Sequence, residues 1–282
     1  MMVFTKKEEI QKYLTRLKSK GQSVGFVPTM GALHQGHVSL VQKALEDNDI
    51  VVVSIFVNPT QFDNREDLDK YPRTLERDTK LLNSVSTHIL VYAPTVNDIY
   101  DNRIESEKFS FGGLEFEMEG KFRAGHFDGV GTIVKRLFEI VKPQNAYFGE
   151  KDFQQLAIIK AMVKIHRLPV RIIGCPIFRE LNGLAMSSRN ERLKPEYKKV
   201  APFIYKTLKS AKKQFGTKSA KQVTEWVEEQ FAKHELLKLE YFIIADVETL
   251  KPVKRKSKNK LYRAFIAVYA DDIRLIDNIA LN

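Results

Sequence analysis

The sequence predicts an α/β fold: a doubly wound parallel sheet in its first part, then a smaller α+β domain. Three observations carry this reading. Short β-branched runs alternate with stretches of helical period, two strand-to-helix passages run through glycine, and the texture turns to lysine-rich amphipathic stretches after residue 189. Strands are expected at residues 23–27, 50–57, 89–92, 146–148 and 170–174. Val130, Ile133, Val134, Leu137, Phe138 and Val141 form one apolar stripe at helical spacing, on a helix ending before Pro143. Another helix should begin near Lys151 and run through Leu156, Ile159 and Val163. Helices at 195–215 and 220–233 then precede apolar runs at 239–245, 262–269 and 273–279. The domain boundary falls between Cys175 and Ser188, giving domains 1–176 and 177–282.

With 282 residues, 43% of them hydrophobic, the chain can bury the core of two domains. No stretch reaches the roughly 18 uninterrupted apolar residues of a membrane span, and residues 1–12 lack the apolar centre of a signal peptide. A cytoplasmic protein without membrane association is expected. The single cysteine, Cys175, excludes an intramolecular disulfide and a cysteine-based zinc cluster, and it closes an apolar run, so it reads as core. The net charge of +11 calls for an anionic partner, a nucleotide or a nucleic acid. Residues 177–282 carry 22 Lys and Arg against 13 Asp and Glu, so most of the excess is C-terminal. Its densest piece, Lys254-Arg255-Lys256-Ser257-Lys258-Asn259-Lys260, lies between apolar runs and reads as a solvated connection rather than an RNA-binding arm.

Directly after the first expected strand comes Pro28-Thr29-Met30-Gly31-Ala32-Leu33-His34-Gln35-Gly36-His37, followed by apolar-periodic Val38, Val41 and Leu45. The string sits where a strand enters a helix, the edge of an open parallel sheet at which ligands bind and helix N–H groups meet phosphate. Gly31 and Gly36 allow close backbone approach, and His34 and His37, nearly one helical turn apart, can face one anion. Zinc is the weaker use of the pair, since no third ligand of the expected kind follows. No Gly-x-x-x-x-Gly-Lys-Ser/Thr occurs, and Gly129 and Gly131 lack the third glycine of a dinucleotide turn.

His34-Gln35-Gly36-His37 resembles the His-x-Gly-His signature of class I aminoacyl-tRNA synthetases and small nucleotidylyltransferases, which cleave ATP between its α and β phosphates. The longer string is similar to the pantothenate synthetase family in particular. Four further strings fit that resemblance. Asn58 and Gln61 follow the second strand, where Gln61 can donate to a carboxylate and accept from a hydroxyl, as a hydroxy acid such as pantoate requires. Tyr71-Pro72-Arg73-Thr74 leads to Asp78, a candidate for helping to hold Mg2+ on the phosphates. Phe122-Arg123-Ala124-Gly125-His126-Phe127-Asp128-Gly129-Val130 matches a family string except for Ala124, where proline is usual. Ala146-Tyr147-Phe148-Gly149-Glu150-Lys151-Asp152-Phe153-Gln154-Gln155 again passes from strand through glycine to helix. Lys151 suits α-phosphate charge, Asp152 ribose hydroxyls, and Gln155 the hydroxy acid beside Gln61.

Arg179-Glu180-Leu181-Asn182-Gly183-Leu184-Ala185-Met186-Ser187-Ser188-Arg189-Asn190 resembles the family's counterpart of the mobile Lys-Met-Ser-Lys-Ser loop, with Asn182 where aspartate is usual. Ser187 and Ser188 would meet β and γ oxygens, and Arg189 the departing pyrophosphate. Arg274-Leu275-Ile276-Asp277-Asn278 also looks like the family's C-terminal string. The resemblance thus implies a Rossmann-like, nucleotide- and pantoate-binding first domain and a lid-like second one. It implies an ATP site built by Met30, Gly31, Ala32, Leu33, His34, Gln35, Gly36, His37, Gly149, Glu150, Lys151, Asp152, Phe178, Met186, Ser187, Ser188 and Arg189. His34, His37 and Lys151 would be catalytic, and Gln61, Gln155 and Asn58 would contact pantoate and β-alanine. It further implies ATP with Mg2+, an acyl adenylate and a homodimer. Two rivals remain at this stage: a tRNA-charging protein, revealed by RNA-dependent ATP turnover, and an adenylyltransferase, for which a phosphate ester would trigger pyrophosphate release. The second domain has no zinc knuckle and no aromatic RNA platform, which weighs against nucleic acid as a partner.

Overall fold

The structure is a computed structural model that describes residues 1–62, 65–101 and 103–282. It divides into two compact units, Met1–Glu150 with Gln154–Pro176, and Lys151–Phe153 with Ile177–Asn282.

The first unit runs β1 (Met2–Phe4), α1 (Lys7–Lys18), β2 (Val24–Thr29), α2 (Gln35–Asp47), β3 (Ile50–Ile55), α3 (Arg65–Lys70), α4 (Leu75–Val85), β4 (Ile89–Tyr92), α5 (Val96–Tyr100), α6 (Glu119–Phe122), α7 (His126–Val141), β5 (Asn145–Gly149), α8 (Phe153–Ile165) and β6 (Arg171–Cys175). The six strands form one parallel sheet in the order β1-β4-β3-β2-β5-β6, a Rossmann-like arrangement. Side chains alternate across it: Val51 and Val53 join Val27, Val41, Leu82 and Tyr147 in one buried cluster. On α7 the whole stripe from Val130 to Val141 is buried, and Phe138 meets Phe26 and Phe148 edge-on. β1, three residues long, was not expected; so short a run has no periodicity to read. Neither was α1, although Ile10, Leu14 and Leu17, its buried residues, follow helical spacing.

The strand order reverses at β2, with β3 on one side and β5 on the other. The ladder between β2 and β5 ends at Phe26 and Ala146, short of the carboxyl ends of both strands. A crevice at such a reversal is where an open parallel sheet binds ligands.

The second unit comprises α9 (Pro195–Val200), α10 (Phe203–Phe215), α11 (Ala220–Ala232) and the antiparallel strands β7 (Leu237–Asp246), β8 (Tyr262–Ala270) and β9 (Ile273–Ala280), in the order β7-β8-β9. Leu208, Val223 and Val227 pack on Ile244, Ile266 and Val268 in its core. The single helix expected over 195–215 is broken, because Pro202 has no N–H to continue the ladder and begins α10 instead. Lys254 to Lys260 form an exposed connection between β7 and β8, tied down where Lys260 meets Asp246 at 2.8 Å.

Cys175 ends β6 with 4% exposure, and burial pushes its thiol up to about 11. Reactivity belongs to the thiolate, so the native chain is expected to resist iodoacetamide at neutral pH and to take up one label once unfolded. Rapid labelling of the folded protein, read by intact mass, would contradict that placement.

Candidate active site

The passage from β2 to α2 is held by a carboxylate from another element. Gly31 has φ +87°, and a Cβ there would stand 3.0 Å from Ile55 and 3.1 Å from Asp78. Ala32 follows at φ +50°, unusual for a residue with a side chain. What keeps it there is Asp78, fully buried on α4: its Oδ2 accepts from the Ala32 amide at 2.9 Å and its Oδ1 from the Leu33 amide at 2.8 Å. The Thr74 hydroxyl lies 3.2 Å from Oδ1. Both oxygens of the residue expected to help hold Mg2+ are thus engaged by the turn, and Asp78 is its anchor.

The turn delivers two imidazoles. His34 caps α2, its Nδ1 accepting from the Gly36 amide at 3.1 Å, while His37 Nδ1 accepts from the His34 amide at 3.3 Å. The rings lie 4.1 Å apart, centre to centre. A nitrogen that accepts carries no proton, so each neutral ring keeps its proton on Nε2 as a donor. Two such donors beside the N-terminus of a helix, with its partial positive charge, suit phosphate oxygens.

Next to it, a short 3-10 turn, Pro59–Gln61, follows β3. Asn58, fully buried, donates to the Gly129 carbonyl at 3.2 Å and accepts from the Tyr100 hydroxyl at 2.5 Å. These bonds brace the turn against α7. Gly129 makes that approach feasible, because a Cβ would lie 2.3 Å from the Thr60 carbonyl oxygen. Gln61 is different: its Nε2 lies against the Met30 sulfur, a weak acceptor that a ligand carboxylate would displace. Two residues not singled out from the sequence close this cluster. His126 Nδ1 is 2.8 Å and Arg123 Nη2 3.2 Å from the Gln61 carbonyl oxygen, and Arg123 Nη1 is 3.2 Å from His126 Nε2. The guanidinium can only donate, so His126 accepts at Nε2 and carries its proton on Nδ1. The string from Phe122 to Val130 held that signal.

Gly149 ends β5 and Glu150 opens a 3-10 turn, Glu150–Asp152, so the helix expected near Lys151 becomes regular only at Phe153. In the first turn of α8, Gln154 is tied to the Leu114 and Glu117 carbonyls, whereas half-buried Gln155 makes no side-chain hydrogen bond among the described residues. A ligand would complete it.

Lys151, Asp152, Phe178, Met186, Ser187, Ser188 and Arg189 belong to the second unit. Lys151 Nζ is 3.5 Å from Asp152 Oδ1, its one ion pair among the described residues, and its charge also favours the ionised Asp277 carboxyl. Residues 178–186 fold back as a hairpin, with Arg179 bridged to Ala185 and the Met186 amide bonded to the Phe178 carbonyl at 3.0 Å. Asn182 makes the turn bond that aspartate would make, accepting from the Leu184 amide at 3.0 Å. Ser187 caps the following turn by accepting from the Arg189 amide at 3.3 Å. The expected mobile loop is clamped at its base: Arg179 donates to both oxygens of Asp277, at 2.6 and 2.9 Å, and stacks 3.5 Å over the Tyr205 ring. Burial pushes the Asp277 carboxyl up, and the guanidinium works against that shift.

The family model of pantoate-beta-alanine ligase matches residues 2–280. The chain belongs to the pantoate-beta-alanine ligase family. It is 59% identical over 282 residues to a pantothenate synthetase of Christiangramia forsetii and 57% identical over 281 residues to that of Flavobacterium psychrophilum, covering 100% of each chain in both pairs. Among solved structures, pantothenate synthetase from Thermus thermophilus superimposes with a TM-score of 0.91 at 40% identity, over 100% of this chain and 99% of that one. Pantoate-beta-alanine ligase from Francisella tularensis, complexed with beta-gamma ATP and beta-alanine, does so with 0.80 at 36% identity, over 100% and 98%. Among the described residues no group of three or more His, Cys, Asp or Glu is placed to hold a metal ion, and both oxygens of Asp78 are engaged by the turn.

Proposed function

We propose that this pantoate-beta-alanine ligase condenses (R)-pantoate with β-alanine at the expense of ATP, through a pantoyl adenylate. In the first step a pantoate carboxylate oxygen attacks the α-phosphorus and the bond to the bridging oxygen of pyrophosphate breaks. In the second the amine of β-alanine attacks the acyl carbon, AMP leaves and the amine loses a proton. No protein nucleophile is required, because the carboxylate is already anionic at neutral pH, and the protein's work is alignment and stabilisation of phosphoryl charge. The observation that carries the reading is the His34 and His37 pair, both locked as Nε2 donors at the start of α2. In this proposal the backbone of Met30, Gly31, Ala32, Leu33, Gln35 and Gly36 follows the triphosphate. Lys151 neutralises α-phosphate charge, Asp152 accepts from ribose, Ser187 and Ser188 hold the β and γ oxygens of bound ATP, Arg189 adds charge as pyrophosphate leaves, and Gln61 and Gln155 hold the hydroxy acid. Mg2+ enters on the phosphates of ATP, as it commonly does where carboxylate ligands are few. A cytoplasmic homodimer completes the proposal.

Pyrophosphate release from ATP and Mg2+ tests it, with pantoate alone, β-alanine alone and both together. Release is expected to require pantoate, with AMP and the amide appearing only after β-alanine is added. Release triggered by a phosphate ester, or dependent on RNA, would overturn the reading in favour of an adenylyltransferase or a tRNA-charging protein.

A further inference from the structure

Asp277 and Asn278 stand side by side on β9 and are 5% and 2% exposed. Consecutive strand residues point to opposite faces, so this edge strand buries a polar side chain on each face of its sheet. Burying such groups is costly unless they are bonded, and apolar residues of similar size would fill the space more cheaply. Both are fully used, and their partners are the notable feature.

On one face, Asp277 takes the bidentate pair from Arg179. Arg179 also donates to the Gly183 carbonyl at 3.1 Å and forms the base of the hairpin from which Met186, Ser187, Ser188 and Arg189 emerge. On the other face, Asn278 Nδ2 donates to the backbone carbonyl of Lys151 at 2.9 Å, while its Oδ1 accepts from Arg263. The Arg263 guanidinium lies 4.1 Å over the Phe153 ring, and Phe153 meets Phe265, the register partner of Asn278, at 5.8 Å. The segment Lys151–Phe153 is thereby seated on β8 and β9, although Glu150 before it and Gln154 after it belong to the first unit. Two adjacent residues therefore hold the two segments of the second unit that carry its ATP-directed side chains.

We propose that Asp277 and Asn278 are positioning residues for adenylate formation, Asn278 setting the turn that presents Lys151 and Asp277 setting the segment that presents Ser187, Ser188 and Arg189. This rests on the ligase reading above. Position acts differently in the two cases. Lys151 serves charge that builds in the transition state, so misplacing it lowers kcat; the Ser187 and Ser188 hydroxyls grip the β and γ phosphates already in the ground state, so loosening their segment raises KM for ATP.

The informative variant is Asn278→Asp, which keeps an acceptor for Arg263 and removes the donor to the Lys151 carbonyl. It is expected to lower kcat for pantoate-dependent pyrophosphate release about tenfold with KM for ATP within about twofold, in step with loss of a transition-state contact. In a Lys151→Ala background the same change should have no further effect on kcat, since it acts through that side chain. Asp277→Asn should instead raise KM for ATP about tenfold. Should Asn278→Asp not fold, Asn278→Ser removes the same reach and is read the same way. A purely structural role would lower the melting temperature while leaving kcat and KM per folded molecule unmoved, and would act equally with and without Lys151; either result overturns the proposal. Wild-type enzyme showing no pantoate-dependent release would instead sink the ligase reading itself.

Discussion

Lys151→Ala is expected to lower kcat for pantoate-dependent pyrophosphate release by about 10²- to 10³-fold, the usual cost of removing one preorganised donor from developing phosphoryl or oxyanion charge. The melting temperature should hardly move. Among the described residues the Lys151 ammonium forms one ion pair, with half-exposed Asp152 at 3.5 Å, and so long a pair to a solvated carboxylate contributes little. The contact that seats its turn uses the backbone carbonyl, which alanine retains. The measurement is steady-state pyrophosphate release beside thermal unfolding. A fall of less than about threefold would return Lys151 to what its neighbours Glu150 and Asp152 otherwise suggest, a charged and solvated helix start. Lys151→Arg separates charge from shape: the planar guanidinium keeps the charge but not the compact donor, so partial recovery at most is expected.

Asp78→Ala is the second large effect, and it falls on stability. The substitution strands the buried Leu33 amide and the half-buried Ala32 amide, and an orphaned buried donor costs about 1 to 3 kcal/mol. A loss of at least that size follows, read by urea denaturation. Asp78→Asn keeps one acceptor and should cost roughly half as much. Activity will fall too, because the same turn sets His34 and His37, but the Mg2+ concentration for half-maximal rate in the remaining folded enzyme should not change. Unaltered stability with a raised Mg2+ requirement would instead make Asp78 a metal ligand and would remove its role as anchor.

These outcomes mark where local reading suffices. Repeating patterns on one element were legible: the stripe of α7, the β-branched runs of the parallel sheet, and the passage from Thr29 through Gly31 to His37 each declare themselves within a dozen residues. The division between a parallel sheet and a later α+β unit was legible for the same reason. The stop at Pro202 was also within reach, since it rests on a missing N–H in the chain itself.

What residues do for one another across long separations was not legible. Asp78 reaches back 46 residues to Ala32, Asn58 forward 71 to Gly129, His126 back 65 to Gln61, and Asn278 back 127 to Lys151. A carboxylate that anchors a turn and one that awaits a metal look alike in a sequence, as do an amide that braces a helix and one that waits for substrate. By itself, then, the sequence determined the fold class, the family and the chemical inventory, because periodicity, glycine turns and motif strings are local properties of a chain. Only the tertiary structure decided which of those polar groups are already satisfied and which still have hydrogen bonds to give, because that depends on partners the fold brings together from distant positions.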